Sequence, residues 1–123
     1  MIVGLGIDLV EVDRIDKALG RWGRAFLARI MAPAELAALP PEWPPAVVAD
    51  AVAVKEAVSK AIGTGWSGGV RWKDVVVAHG RRPAARLDGA ALAAAHRLGS
   101  SGATEVRIDH PPGLVIATVR LLA

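Results

Sequence analysis

The chain has 123 residues, of which 53% are hydrophobic and 22% are charged. This composition predicts a single domain over residues 1–123 with enough apolar surface for a core, and it argues against disorder. The formal net charge is +3, and the absence of cysteine excludes disulfides and thiolate metal sites. No basic leader precedes the first apolar stretch, and no apolar run approaches the ~18 residues of a membrane span. We therefore expect a cytoplasmic protein without a membrane partner.

The first predicted element is a strand from Met1 to Val12, in which apolar residues alternate with Gly4, Gly6 and Asp8. A period of two places Asp8 on the same face as both glycines. Glycine inside a strand often marks close approach by another backbone or by a ligand. A lone buried aspartate accepts backbone N–H bonds about as often as it serves a ligand, so both interpretations of Asp8 stay open.

A helix is expected from Arg14 to about Ile30, with Asp13 as its N-cap and a bend or break near Gly20 and Gly23. Its basic residues recur at helical spacing, apart from the apolar stripe, and we call them the basic stripe: Arg14, Lys17, Arg21 and Arg24. Such a stripe can steer an acidic partner. A solvated helix face explains it equally well.

The next predicted element is a short helix from Pro33 to Leu39, followed by a proline-rich linker over residues 40–45. The main helix should run from Ala46 to Ile62, and because it is apolar nearly all round it should be buried. The remaining elements are predicted as a strand at 70–78, a strand at 84–87, a helix at 89–98 and a hairpin of strands 105–110 and 114–122. This order indicates an α+β domain with a mainly antiparallel sheet packed on the long buried helix.

Charged residues interrupt the main helix at Lys55, Glu56 and Lys60. Glu56 and Lys60 are four residues apart and share a face, with Ser59 beside them. The plain alternative is an exposed ion pair worth ~0.3–0.5 kcal/mol, but the flanking positions are apolar. Together with Asp8, Glu56 offers two carboxylates from separate elements, which suits a Mg²⁺ ion that holds a phosphate.

The glycine turn Gly63-Thr64-Gly65 ends the main helix, and its backbone N–H groups can cradle a phosphate, with Lys55 and Lys60 supplying charge. The GxxxxGK[ST] spacing is absent, and such a turn is more often a helix C-cap than a ligand site. By alternation His110 falls on the core side of its strand. A histidine there is more often structural than catalytic.

Two motifs carry a family resemblance: GIDLVEV at residues 6–12 and KEAVSKAIGTG at residues 55–65. With the late strand that ends in His110, they resemble the short holo-[acyl-carrier-protein] synthases, which are 4′-phosphopantetheinyl transferases. The resemblance covers essentially the whole chain. It implies the 4′-phosphopantetheinyl transferase fold and transfer of the 4′-phosphopantetheine arm of coenzyme A to a serine of an apo carrier protein of fatty acid or polyketide biosynthesis, with release of adenosine 3′,5′-bisphosphate.

The same resemblance implies roles by position. Asp8 and Glu56 would bind Mg²⁺, and the catalytic groups would be Glu56, Lys60 and His110. Coenzyme A would contact Lys55, Ser59, Lys60, Gly63, Thr64, Gly65, Pro83 and His110. The basic stripe would dock the acidic helix of the acyl carrier protein. Family members are typically homotrimers with sites at subunit interfaces, so a trimer is expected.

The chain departs from the family at Ala51, where an arginine is common, and at Asp109-His110-Pro111, where Ser-His is usual. These departures leave open a catalytically silent homologue that only binds carrier protein or coenzyme A. A small basic nucleic-acid binder is a further alternative. The strands lack basic residues interleaved with aromatic ones, so no nucleic-acid partner is expected.

Overall fold

The computed structural model of the protein describes all 123 residues. Its elements in chain order are β1 (Ile2–Glu11), α1 (Val12–Trp22), α2 (Arg24–Ile30), α3 (Pro33–Ala38), α4 (Pro45–Ala61), a 3₁₀ turn (Trp72–Asp74), β2 (Val75–Ala78), β3 (Ala84–Leu87), α5 (Gly89–Arg97), β4 (Thr104–Asp109) and β5 (Leu114–Leu122).

Every strand pair is antiparallel. One sheet has the order β1-β5-β4, and β2 pairs with β3 in a separate two-stranded sheet. The β4–β5 hairpin turns at Pro111-Pro112-Gly113, as the sequence predicts. In the register of β1 against β5, Asp8 lies opposite Ala117. The predicted α+β class and antiparallel pairing are confirmed.

The long helix α4 lies at the centre of the core. Most of its residues are buried, and Val48, Val54 and Val58 have no exposed surface. Burying a valine side chain contributes on the order of 1.5 kcal/mol or more, so packing rather than helix propensity stabilises α4. The prediction of a buried main helix is confirmed, with both ends one residue earlier than expected. No helix combines the length and the apolar character that crossing a membrane requires.

β1 lies directly against α4 because two of its residues have no side chain. A Cβ atom on Gly6 would overlap the carbonyl oxygen of Ala57 and lie 2.8 Å from its carbonyl carbon. A Cβ on Gly4 would overlap the carbonyl oxygen of Ala61 in the same way. The glycines therefore mark close approach by another backbone. This backbone contact fixes the position of Asp8 relative to α4.

Three local predictions were wrong. Helix α1 begins at Val12 and has no side-chain cap, so Asp13 is not an N-cap and instead pairs with Lys17 at 3.0 Å. Strand β2, predicted from residue 70, begins only at Val75, because the Asp74 carboxylate accepts the backbone N–H of Arg71 at 3.0 Å and closes the 3₁₀ turn. His110 follows the last residue of β4 and is exposed, so strand alternation no longer governs it.

The break in the first helical segment is where the sequence places it. Helices α1 and α2 meet at Gly23, whose φ of 53° lies in the left-handed region that glycine adopts without steric cost. The basic stripe is therefore divided between two helices, with its first three residues on α1 and Arg24 at the start of α2.

Candidate active site

Asp8 and Glu56 line the same cleft, which lies between β1, α1 and α4 and encloses about 520 Å³. Lys60 and Arg14 also line it, together with an apolar wall formed by Ile15, Phe26, Ile30, Val52 and Trp72. The structure thus brings together the two carboxylates that the sequence places on separate elements. We call this the acidic cleft.

Lys60 links α4 to β1 at the mouth of the acidic cleft. Its ammonium donates to Asp8 Oδ1 at 2.8 Å and to the carbonyl oxygen of Ile7 at 3.1 Å. The Asp8 side chain is only 16% exposed, whereas that of Lys60 is 51% exposed. The ion pair therefore joins a half-exposed lysine to a mostly buried aspartate.

Burial raises the pKa of Glu56 above its ordinary value of 4.5. The indole of Trp66 opposes this rise, the charge of Asp8 adds to it, and Lys60 lowers the pKa again. Repulsion between two carboxylates that share a cleft disfavours their joint ionisation unless a cation lies between them. The structure contains no cluster of three or more histidine, cysteine or acidic residues that could hold a metal ion, so Asp8 and Glu56 would be the only protein ligands. Two carboxylates are the protein share that Mg²⁺ typically takes, with water and phosphate as the other ligands, so this donor set fits Mg²⁺.

Lys55 points away from the acidic cleft, although it precedes Glu56 in the chain. Its ammonium has no exposed surface and donates to Glu35 Oε1 at 2.8 Å, to the Trp72 carbonyl at 3.1 Å and to the Val75 carbonyl. An ammonium has three N–H donors, so none remains for a phosphate. This geometry contradicts the prediction that Lys55 contacts coenzyme A, and its role is structural.

The glycine turn is a helix C-cap in this structure. Gly63 and Gly65 have φ values of 77° and 56°, and their N–H groups donate to the carbonyl oxygens of Lys60 and Ser59. The Thr64 hydroxyl donates to the Gly65 carbonyl at 2.9 Å. The Ser59 hydroxyl is buried and donates to the Glu56 carbonyl at 2.7 Å. None of these four residues lines the acidic cleft, so their contact with coenzyme A stays a prediction.

His110 and Pro83 lie in a second cleft of about 310 Å³. His110 Nε2 is 2.8 Å from Asp50 Oδ1, and the positively charged lining residues are Arg81 and Arg107. This second cleft shares no lining residue with the acidic cleft. Within one chain, His110 and Pro83 are therefore separated from Asp8, Glu56 and Lys60.

The basic stripe is exposed along its whole length. Arg14 also lines the acidic cleft, which connects the stripe to Asp8 and Glu56. Lys17 pairs with Asp13, and the Arg21 guanidinium lies 4.9 Å from the ring centre of Trp22. On α1 the basic stripe therefore extends from Arg21, beside the exposed Trp22, to Arg14 at the acidic cleft.

Sequence reasoning missed a pair of stacked tryptophans, of which Trp72 lines the acidic cleft. Trp66 and Trp72 stack with ring centres 4.1 Å apart and an interplanar angle of 19°. The chain has four tryptophans, and two of them fall within seven residues directly after the glycine turn. This clustering in the sequence could have indicated the stacked pair. No feature of the sequence indicated that Glu35 would pair with Lys55 or that Asp50 would pair with His110, because only folding brings these residues together.

Comparison with known proteins identifies the family of the chain. Residues 4–118 match the 4′-phosphopantetheinyl transferase superfamily. The holo-[acyl-carrier-protein] synthase of Solidesulfovibrio magneticus is 48% identical over 123 residues, 98% of each chain. The crystal structure of the Neisseria meningitidis synthase matches all of both chains with a TM-score of 0.86 and 31% identity. The Helicobacter pylori synthase in complex with coenzyme A covers 95% of this chain and 98% of its own, with a TM-score of 0.80 and 26% identity. The chain therefore belongs to the 4′-phosphopantetheinyl transferase superfamily.

Proposed function

We propose that this protein transfers the 4′-phosphopantetheine moiety of coenzyme A to a serine of an apo acyl carrier protein and releases adenosine 3′,5′-bisphosphate. The observation that carries the proposal is the convergence of Asp8, Glu56 and Lys60 on one cleft. It occurs in a chain that is 48% identical to a holo-[acyl-carrier-protein] synthase over nearly its full length.

Asp8 and Glu56 are the residues that would hold Mg²⁺. When bound, the ion would neutralise charge on the diphosphate of coenzyme A and orient it. The fit is electrostatic, because a cation relieves the repulsion between the two carboxylates. Coenzyme A would then be a co-substrate that enters the acidic cleft with its diphosphate toward these acids.

The chemistry requires a proton acceptor for the carrier serine. Glu56, or a water molecule that it holds, is the better candidate, since the ammonium of Lys60 already donates to Asp8 and to the Ile7 carbonyl. The serine oxygen bonds to the phosphorus of the pantetheine arm, and its proton passes to Glu56. The diphosphate P–O bond breaks, and adenosine 3′,5′-bisphosphate leaves with the bridging oxygen. Lys60 stabilises the charge that develops on the phosphoryl oxygens.

The basic stripe would dock the acidic helix of the carrier protein. Arg14, Arg21 and Arg24 are exposed and have no acidic partner in the chain, whereas Lys17 is paired with Asp13. Because Arg14 also lines the acidic cleft, a carrier bound along α1 would present its serine at the cleft. Complementary charge of this kind mainly raises the association rate.

A homotrimer with shared sites would account for the separation of His110 and Pro83 from the acidic cleft. The outer face of β1 exposes Leu5, Ile7 and Leu9, each more than half accessible. Such a contiguous apolar face marks an interaction surface. Packing copies through it would let the cleft of His110 and Pro83 on one subunit meet the acidic cleft of the next.

The transfer itself is tested with apo acyl carrier protein, coenzyme A and Mg²⁺. The expected product is a carrier heavier by about 340 Da, the mass of one phosphopantetheine modification. Asp8→Asn should abolish the reaction, while Asp13→Asn, which changes an exposed aspartate of α1, should not. Binding of coenzyme A without any mass gain would instead identify a silent homologue.

The shared site is tested by mixing two inactive variants. Asp8→Ala and His110→Ala, unfolded together and refolded in equal amounts, should recover activity in about a quarter of the sites if each site takes one residue from each of two subunits. Each variant refolded alone is the control. A mixture that stays as inactive as its parents contradicts the interface placement.

A further inference from the structure

Asp50 places a carboxylate on the buried helix α4, between Ala49 and Ala51, which have no exposed surface. The Asp50 side chain is itself only 17% exposed. Withdrawing a carboxylate from water costs free energy unless a hydrogen bond or an opposite charge compensates it. The one hydrogen bond of this side chain joins Asp50 Oδ1 to Nε2 of His110 at 2.8 Å, across 60 residues of sequence. Alanine at position 50 would suit the helix better, so the pair calls for an explanation.

The pairing decides which ring nitrogen of His110 is left for a ligand. An ionised carboxylate only accepts hydrogen bonds, so Nε2 carries the proton of the contact with Asp50. Nδ1 is then the remaining polar atom of the ring, and it is a donor whenever the imidazole is protonated. The contact with α4 also limits rotation of the ring, which otherwise stands exposed after the end of β4.

The second cleft, in which both residues lie, suits an anion. Arg81 and Arg107 line it, and Asp50 is the only acidic residue among its lining residues. Arg107 pairs with Asp109 at 3.0 Å, whereas Arg81 is exposed and has no acidic partner in the chain. Guanidinium and imidazolium N–H groups form strong charge-assisted hydrogen bonds with phosphate.

Building on the proposed transferase function, we propose that Asp50 is a positioning residue that holds the His110 ring so that Nδ1 meets a phosphate group of coenzyme A in the second cleft. Asp50 acts through His110 and does not touch the ligand. Its two effects on a bound phosphate are opposed, because its charge repels the anion while its hydrogen bond orients the donor. The ring separates the carboxylate from the ligand, so the orienting effect outweighs the repulsion.

Removing Asp50 distinguishes these effects by the direction in which the affinity changes. The probe is adenosine 3′,5′-bisphosphate, and its dissociation constant is measured by isothermal titration calorimetry. Asp50→Ala removes the hydrogen bond, and Asp50→Asn keeps an acceptor oxygen in the same place. Asp88→Ala is the matched control, because Asp88 pairs with Arg86 at 3.1 Å and lines neither cleft.

We expect Asp50→Ala to weaken binding of the bisphosphate by about 10-fold, the effect of a lost hydrogen bond to a charged group. Asp50→Asn should stay within about threefold of wild type, and Asp88→Ala within about twofold. Unchanged or tighter binding in Asp50→Ala would overturn the proposal, since repulsion would then be the larger effect. A loss in Asp50→Asn as large as in Asp50→Ala would also overturn it.

A double-mutant cycle tests whether Asp50 acts through His110. In a His110→Ala protein only the repulsion remains, so adding Asp50→Ala should tighten binding of the bisphosphate. The same 10-fold loss in both backgrounds would contradict the proposed route. In the transfer assay, Asp50→Ala should raise KM for coenzyme A by about 10-fold and leave kcat and KM for the carrier within about twofold. A fall in kcat at unchanged KM would indicate a purely structural contact and would overturn the proposal.

NMR of wild-type protein gives a measurement that needs no variant. In alkaline buffer, where an imidazole is neutral, the ring nitrogen signals of His110 should show a proton on Nε2 and none on Nδ1. The opposite tautomer would overturn the proposal. If wild-type protein performs no transfer, the proposed function fails, and calorimetry with the bisphosphate still decides the role of Asp50. If transfer proceeds but wild-type protein binds no bisphosphate, the proposed function stands and this inference fails.

Discussion

Gly6→Ala is the sharpest test of how β1 positions the acidic cleft. The added Cβ would overlap the Ala57 carbonyl oxygen and lie 2.8 Å from the carbonyl carbon, whereas ordinary contact begins at 3.4 Å. Both Ala57 atoms belong to the backbone of α4, so they cannot move out of the way as the end of a flexible side chain could. The strand must therefore move away by roughly 1 Å, and overpacking of this kind costs about 1–3 kcal/mol.

Asp8 is two residues further along the same face of β1, so the displaced strand carries Asp8 away from Glu56. A misplacement near 1 Å costs on the order of 100-fold in rate. Urea unfolding at fixed protein concentration and the kcat of transfer measure the two effects. Gly20→Ala is the control, because a Cβ there meets no atom within 4 Å, and it should stabilise α1 by about 0.5–1 kcal/mol. Wild-type stability and kcat in Gly6→Ala would refute the reasoning.

Lys55→Met should cost about 3–5 kcal/mol of unfolding free energy because it leaves the Glu35 carboxylate buried and unpaired; adding Glu35→Gln should recover part of the loss, and an unchanged urea midpoint in the single variant would contradict the structural role. Arg14→Glu with Arg21→Glu should raise KM for the carrier protein but not for coenzyme A; equal changes in both would remove the docking surface. Burial raises the pKa of Glu56, so its destabilising charge is present at neutral pH and absent below 4.5. Metal-free Glu56→Gln should therefore be more stable than wild type by less than about 1 kcal/mol near pH 7, and the difference should vanish as the pH falls below 4.5.

Tertiary packing decides what the two lysines of the KEAVSKAIGTG motif do. Lys55 and Lys60 are five residues apart, about 140° around the helix axis. One side of α4 faces α3 and β2, where Glu35 captures Lys55. Another side faces β1, where Asp8 captures Lys60. Spacing along the helix gives the angle between the two lysines but not the residues that pack against each of them. The motif therefore predicted both as phosphate ligands, and the buried pairing of Lys55 with Glu35 contradicts this for Lys55.

Local pattern accounts for the parts of the fold that were predicted well. The buried α4, the hairpin at Pro111-Pro112-Gly113 and the break at Gly23 each follow from residues close together in the chain. The errors arose where a distant or non-repeating contact overrides the pattern. Strand alternation placed His110 on the core side, but β4 ends one residue earlier and His110 turns to Asp50 on α4.

By itself the sequence determined the class of the fold and the family, and it singled out Asp8, Glu56 and Lys60 as candidate site residues, because periodicity and motif spacing are properties of the chain alone. Only the tertiary structure decided that these three residues share a cleft, that His110 and Pro83 lie in another, and that Lys55 pairs with Glu35 instead of facing the acidic cleft. Those facts depend on which helices and strands pack against each other, and that packing is a property of the whole molecule.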